Sequence, residues 1–455
     1  MEAYPKYKNS GVPWLGYIPE HWETIKTKFL FKERVAKGYP HEPLLAATQS
    51  KGVVPKSMYE NRTVEAQKDL HLLKLVEPGD FVISLRSFQG GIEYAHFRGI
   101  ISPAYTVMIP HRKIIIEFYR HLAKSKTFIL LLKTCVTGIR EGQNINYELL
   151  KKTPMPIPPQ SEQQQLARYL DWQTSKINKF IKAKKKLIGL LKEQKQNIIN
   201  EAVTKGINPD VKKEDSGVEW LGEIPEHWDV RRLKSLSRIN KGQVDPKMEK
   251  FSKMILIAPN HIESKTGKLR FTESATEQGA ISGKYFVNKG QLLYSKIRPV
   301  LRKATIAPVD CLCSADMYGI TFNKKVISNE FALFSILSGY FSKYVIDCSM
   351  RVAMPKINRE ALGVAWMTIP TLDEQEKIVK YIENELSIID QTIEKAEIEI
   401  ELIQEYRTRL VSDVVTGKVD VRAIEIPDFE PVEADLEIMD DEETEEKLIS
   451  EAVEE

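Results

Sequence analysis

The sequence predicts an α+β chain in which one unit is written twice, as an internal pseudo-two-fold repeat: a mixed globular segment followed by a long helix, then the same again. Three observations predict it. A fourteen-residue motif returns once, the strand-like and helix-like segments behind it recur in the same order, and a heptad-patterned stretch closes each copy. The resulting segments are 1–159 and 214–371 for the globular parts, 160–213 and 372–418 for the helices, and 419–455 for a tail.

The motif is SGVPWLGYIPEHWE from Ser10 and SGVEWLGEIPEHWD from Ser216, identical at 11 of 14 positions. Later landmarks keep step. EPGDFVIS (77–84) aligns with NKGQLLYS (288–295), INYELL (145–150) with INREAL (357–362), and IPPQSEQQQL (157–166) with IPTLDEQEKI (369–378). The offset drifts from 206 to 212, which places small insertions inside the globular parts. Such a period is far too long for a solenoid. The motif holds two Trp, a Pro and a Gly, and reads as a packed lid that fastens the first strand of each copy. Base stacking by Trp22 and Trp228 is the alternative.

Short β-branched runs predict strands at DFVISL (80–85), YTVMIP (105–110), QLLYSKI (291–297) and YGITF (318–322). Residues 117–134 and 329–346 predict helices at matching places.

The second long helix carries a heptad seam of Ile382, Leu386, Ile389, Ile393, Ala396, Ile400, Ile403, Arg407, Leu410 and Val414, with one charged interruption. The first copy repeats the seam from Leu170 to Ala202, with Lys184 and Lys195 at core-type positions. Ser161 and Asp373 are the predicted N-caps, and Gly206 and Gly417 the predicted stops. About 43 residues give helices of roughly 65 Å. One segment is net +7 and the other net −6. Matching seams of opposite charge predict an antiparallel coiled coil between the globular units; packing of each helix on its own unit is the alternative.

The net charge of +3 averages a basic body and an acidic end. Residues 1–159 are net +9, 214–371 net +7, and 419–455 net −14. A basic body favours a polyanionic partner, and so acidic a tail is predicted to be disordered. The four cysteines, Cys135, Cys311, Cys313 and Cys348, form no C-x-x-C pair and read as buried thiols, with a zinc site as the alternative. MEAYPKYKNS lacks an apolar signal core, and no apolar run approaches ~18 residues. A cytoplasmic protein without a membrane segment is expected.

Enzyme signatures are missing from the sequence. It has no G-x-x-x-x-G-K-[ST] or G-x-G-x-x-G loop and no H-E-x-x-H. The Pro-Pro at 158–159 lacks the polar-Pro-Pro-aromatic pattern of amino-methyltransferases, and EQK at 193–195 lies within the helix seam. A stand-alone DNA methyltransferase or nuclease is therefore a weaker reading, as is a coiled-coil scaffold without DNA, given the basic globular parts.

The arrangement closely resembles the specificity subunits of Type I restriction-modification systems. The resemblance rests on two copies of L-G-x-I-P-E-H-W, the strands Gly79–Ser84 and Gly290–Ser295, and the I-P-x-x-x-E-Q turns Ile157–Gln163 and Ile369–Gln375. It implies two target-recognition domains, each reading half of a bipartite, asymmetric site in double-stranded DNA, separated by the helical spacer. It also implies two methyltransferase subunits and restriction/translocase subunits as partners. S-adenosylmethionine, ATP and Mg would belong to those partners, with no cofactor or metal on this chain.

Reading bases needs side chains that reach their edges: Arg or Lys for guanine, Asn or Gln for adenine. The first copy offers Arg86, Gln89 and Arg98, then Arg140, Gln143 and Asn144. The second offers Lys296, Arg298, Arg302 and Lys303, then Arg351 and Lys356. Each could equally hold a phosphate and set the register. The copies differ most here, as expected if each reads different bases.

Overall fold

The structure, a computed structural model, describes residues 2–49, 51–58, 69–137, 144–349 and 355–431. The chain forms two compact units. One is Met1–Lys185 with Glu397–Glu455, the other Lys186–Ala396. Each takes one globular copy and half of each long helix, so the compact units cut across the helical segments.

In the first unit, β1 (Tyr7–Asn9) and β2 (Tyr17–Pro19) form a hairpin, and β3 (Glu23–Lys26) pairs with a strand just before the first long helix. A four-stranded antiparallel sheet follows, built from β4 (Phe31–Arg34), β5 (Phe81–Ile83), β6 (Glu93–Tyr94) and β7 (Thr106–Pro110) in the order β4-β7-β5-β6. Strand β5 is apolar throughout because both its faces are covered. Phe81 meets Phe31 edge-to-face within an aromatic cluster, and Val82 points the other way, among Val53, Val76 and Val107. Helices α1 (Ile116–Lys124) and α2 (Lys126–Thr134) come next. The strand β8 (Pro154–Ile157) pairs with β3 and leads into α3 (Gln160–Lys205).

The second unit repeats this. A hairpin of β9 (Lys213–Asp215) and β10 (Glu223–Pro225) precedes β11 (Asp229–Arg232). The sheet has β12 (Ser237–Ile239), β13 (Leu292–Ser295), β14 (Ala304–Ile306) and β15 (Met317–Phe322) in the order β12-β15-β13-β14. Again the central strand is buried on both sides, with Leu292 and Tyr294 in one cluster and Leu293 in another. Then come α4 (Asn329–Leu337), α5 (Gly339–Ser349), β16 (Trp366–Ile369) paired with β11, and α6 (Leu372–Val415).

Where one helix was expected at 117–134 and one at 329–346, each copy has two. The break falls at Ser125 and at Ser338. Both serines are buried with extended backbone, and Ser125 caps α2 by accepting from the Phe128 amide. The N-cap expectation is also corrected. Ser161 and Asp373 lie inside the first turns, and the Thr371 hydroxyl accepts from the Glu374 amide.

Both units pair the long helices antiparallel. In the first, Lys184 meets Glu399 at 2.5 Å, while the α3 start and the α6 end share one mount. In the second, Lys195 pairs with Asp390, while the α3 end and the α6 start share another. The seam lysines thus find carboxylates on the opposite helix, and the apolar seam positions, such as Ile177, Ile188, Ile389 and Ile400, are buried. Beyond α6, residues 420–431 pack on α3 instead of forming a disordered tail. Val421 is fully buried there, and residues 432–455 lie outside the described residues.

Candidate nucleic-acid interface

The repeated motif builds a mount that fixes the helices to each globular part. Trp22 and Trp228 are 0 and 4% exposed, which rules out base stacking and supports the packed lid. The Trp22 indole N–H donates to Glu162 Oε1 at 2.9 Å, and Trp228 does the same to Glu374 Oε1 at 3.0 Å. His21 and His227 bond the other oxygen of each carboxylate, at 2.7 and 3.0 Å. The neighbouring Gln163 accepts from the Ile115 amide and Gln375 from the Ser328 amide, which hold the connections into α1 and α4. A Cβ at Gly417 would meet Pro19 at 2.3 Å, and one at Gly206 would meet Trp228 at 3.3 Å. With φ of 76° and 74°, these glycines end the helices against the tryptophans.

On this base each sheet carries two loops from its candidate segments. In the first unit the loop after β5 makes a single turn at Ser87–Gly90, with Arg86 and Gln89 exposed. Lys124 holds it from below by donating to the carbonyls of Gln49 and Gly90, at 3.1 and 3.0 Å, and to Glu93 at 2.6 Å. The turn packs on Asn144–Ile145, so Asn144 joins Arg86 and Gln89. Arg98 lies elsewhere, paired with Glu42 at 2.8 Å and Glu77 at 2.7 Å. Arg140 and Gln143 lie outside the described residues.

In the second unit the loop after β13 meets the segment between α5 and β16. The Arg298 amide donates to the Pro355 carbonyl at 3.0 Å, and the Ile357 amide to the Lys296 carbonyl at 2.9 Å. Lys296, Arg298 and Lys356 are thereby gathered, with Lys356 exposed and Val300 at the tip. Arg298 and Arg302 both adopt left-handed backbone, at φ 46° and 47°. Non-glycine residues there are strained, and such strain clusters at functional sites. Two candidates turn inward instead. Lys303 is 9% exposed and donates to the Pro259 carbonyl at 2.9 Å. Arg302 donates to Gln196 of α3 at 3.0 Å, and burial lowers its pKa. Lys296 donates to the Ala315 carbonyl at 2.5 Å. Arg351 lies outside the described residues.

Lys124 and Gln196, which hold the two loops, escaped sequence reasoning. Neither stands in a motif, and their partners are far away in the chain. Cys135, Cys311 and Cys313 are buried, and burial pushes the thiols of Cys311 and Cys313 up to about 12, while Cys348 is exposed, against expectation. Among the described residues no cluster of three His, Cys, Asp or Glu side chains is placed to hold a metal, and no helix is long and apolar enough to cross a membrane.

A sheet with paired polar loops, present twice and mounted on antiparallel helix segments, defines a duplicated recognition fold. Residues 225–402 match the family described as Type I restriction modification DNA specificity domain. The Type I restriction enzyme EcoDI specificity subunit of Escherichia coli is 31% identical over 295 residues, which is 60% of this chain and 65% of that relative, just under two thirds of its length. The MjaVIII specificity subunit of Methanocaldococcus jannaschii is 23% identical over 427 residues, 89% of this chain and 94% of that one. A chain solved in work on complex assembly and conformational transition of the type I R-M system has the same fold, with a TM-score of 0.65 at 13% identity over 88% of this chain and 99% of that one. The HsdS subunit from Thermoanaerobacter tengcongensis gives 0.50 at 14% identity, over 88% and 98%. In the residues matched, the chain is similar to the specificity subunits of Type I restriction-modification systems.

Proposed function

We propose that this chain reads double-stranded DNA for a Type I restriction-modification complex, each unit reading one half of a bipartite, asymmetric target. One observation carries the reading: two copies of one sheet present different polar side chains on the same pair of loops. Arg86, Gln89 and Asn144 stand in one, Lys296, Arg298 and Lys356 in the other. Amide side chains suit adenine and cationic ones guanine or phosphate. Arg140, Gln143 and Arg351 flank these loops in sequence and belong to the proposed set, whereas Arg302 and Lys303 hold their own loop in place and Arg98 stands apart from it.

The chain itself is non-catalytic in this reading. Methyltransferase subunits supply S-adenosylmethionine chemistry, and restriction/translocase subunits supply ATP- and Mg-dependent cleavage. Exposed apolar side chains on the long helices suit docking of the methyltransferase subunits. Leu402 is 60% exposed beside Ile398 and Tyr406 in the first unit, and Ile388 is 61% exposed in the second, with the exposed Tyr381 two turns away on the same face. Apolar patches of this kind mark protein contacts.

The test is to exchange residues 1–158 for the matching part of a relative and to sequence the methylation pattern of host DNA. One half-site should change and the other persist. A change in both halves would sink independent reading, and methyl transfer by the purified chain alone would sink the non-catalytic assignment.

A further inference from the structure

In the second unit α3 reaches the loop after β13 through a closed ring of three hydrogen bonds. The Gln196 side-chain amide donates to the Lys265 carbonyl at 3.2 Å. The Lys265 backbone amide donates to the Arg302 carbonyl at 3.3 Å. The Arg302 guanidinium donates back to Gln196 Oε1 at 3.0 Å. Lys265 sits in a loop closed by a bridge between Ile262 and Leu269, and Lys268 of that loop reaches Asp390 of α6 at 2.8 Å. The loop is thus tied to both long helices within one unit.

The ring lies on strained backbone. Among the described residues four non-glycine residues are left-handed, and three of them stand here: Lys265 at φ 68°, Arg298 at 46° and Arg302 at 47°. Arg298 and Arg302 flank the turn Pro299–Leu301, which carries the exposed Val300. Such backbone persists only where its surroundings over-determine it. Around the Arg302 side chain those surroundings are thin. Burial alone lowers its pKa, its Nε finds no acceptor, and among the described residues Gln196 is the side chain that it bonds. An amide suits the place because it turns an acceptor to the guanidinium and a donor to the carbonyl at once. The first unit holds its loop differently. Lys124, which secures Ser87–Gly90, belongs to α1 of the same globular part, and among the described residues no hydrogen bond runs from that loop to α3 or α6.

We propose that Gln196 is a positioning residue for the half-site read by the second unit. By pinning the C-terminal end of the Arg298–Arg302 loop to α3, it sets where Lys296, Arg298 and Lys356 present their charges. Reading by the second unit is thereby registered on a long helix, whereas the first unit sets its loop from within its own globular part. The proposal rests on the DNA reading above.

Complexes of the full chain with its partner subunits, titrated with duplexes that carry one substituted base pair in either half-site, test it. The second unit's half-site is the one that persists when residues 1–158 are exchanged. Each substitution should weaken wild-type binding roughly 5- to 150-fold. Gln196→Ala should cut that penalty several-fold in the second unit's half-site and leave it unchanged in the other, which controls for folding and assembly in the same molecule. Gln196→Glu keeps the acceptor for Arg302 and should recover part of the penalty. Arg302→Met breaks the same bond from the loop side and should repeat the pattern, so the test stands even if one variant misfolds. Penalties unchanged in both halves, or lowered equally in both, would overturn the positioning role. A wild-type complex indifferent to substitutions in both halves would overturn the DNA reading itself, and this proposal with it.

Discussion

Glu162 and Glu374 each serve several donors at once. Glu374 accepts from Trp228 and bonds His227, and Glu162 adds the Tyr4 hydroxyl at 2.5 Å. Removing a charged acceptor strands buried donors, at a cost of roughly 1.5–3 kcal/mol. Glu374→Ala should therefore lower the unfolding free energy measured by urea titration by about that amount, and Glu162→Ala by more. Glu374→Gln keeps an acceptor and should recover part of the loss. A second residue-scale expectation concerns Glu93, buried beside Lys124 under the Arg86 loop. Burial pushes its carboxyl up to about 7, against the pull of Lys124. The folded form thus holds the proton more tightly than the unfolded one, whose value is near 4.5. The stability from this site is complete below pH 4.5 and is lost as pH rises through 7. Melting temperatures of Glu93→Gln, which stays neutral, should gain on the wild type across that window. A constant difference would mean that Lys124 offsets burial in full. The sequence displayed both Trp-bearing motifs and both E-Q turns, yet not their union. Trp22 and Glu162 are 140 residues apart, and no local period links them. Nor could it show that Lys303 turns inward while Arg86 stays out, since both stand in equally polar loops.

At the scale of elements, periodicity was legible and polarity less so. The heptad seams predicted two long helices and their partnership, and both stop at the glycines read from the sequence. Lys184 and Lys195 looked like defects in the seam because their carboxylates lie on the opposite helix, more than 190 residues away. The serine breaks at 125 and 338 were hidden for a different reason: the apolar pattern continues through them, and only the buried cap reveals the turn. The seam pair can be tested. Asp390 serves Lys195 and also Lys268 at 2.8 Å. Asp390→Leu alone should destabilise by about 1–3 kcal/mol, because Lys195 is left unpaired in the seam. Combining it with Lys195→Leu should restore most of the loss, since well-packed apolar pairs replace such ion pairs at little cost. Urea titrations of the four members of that double-mutant cycle check this. Additive losses would mean that the two side chains do not act together.

At the scale of the whole molecule, the same junction is made in two ways. In the second unit, α3 ends at Gly206 on Trp228, and the backbone runs on through residues 207–212 into the hairpin at β9. In the first unit, α6 ends at Gly417 on Trp22, and the hairpin at β1 belongs to a different stretch of chain. A backbone hydrogen bond of 2.9 Å from the Asp420 amide to the Glu2 carbonyl stands where the second unit has covalent bonds. The covalent link is therefore dispensable to the geometry, since packing of glycine on tryptophan suffices in one copy. Severing the backbone at 209–210 should leave two polypeptides that complement each other: each supplies one globular part and one long helix, and neither can complete a seam alone. Co-expressed, the two pieces should purify together and restore methylation when joined by their partner subunits. Expressed singly, each should lose its helix to aggregation or proteolysis. If the co-expressed pieces fail to associate, the peptide link at 207–212 carries a role that its counterpart in the first unit does without.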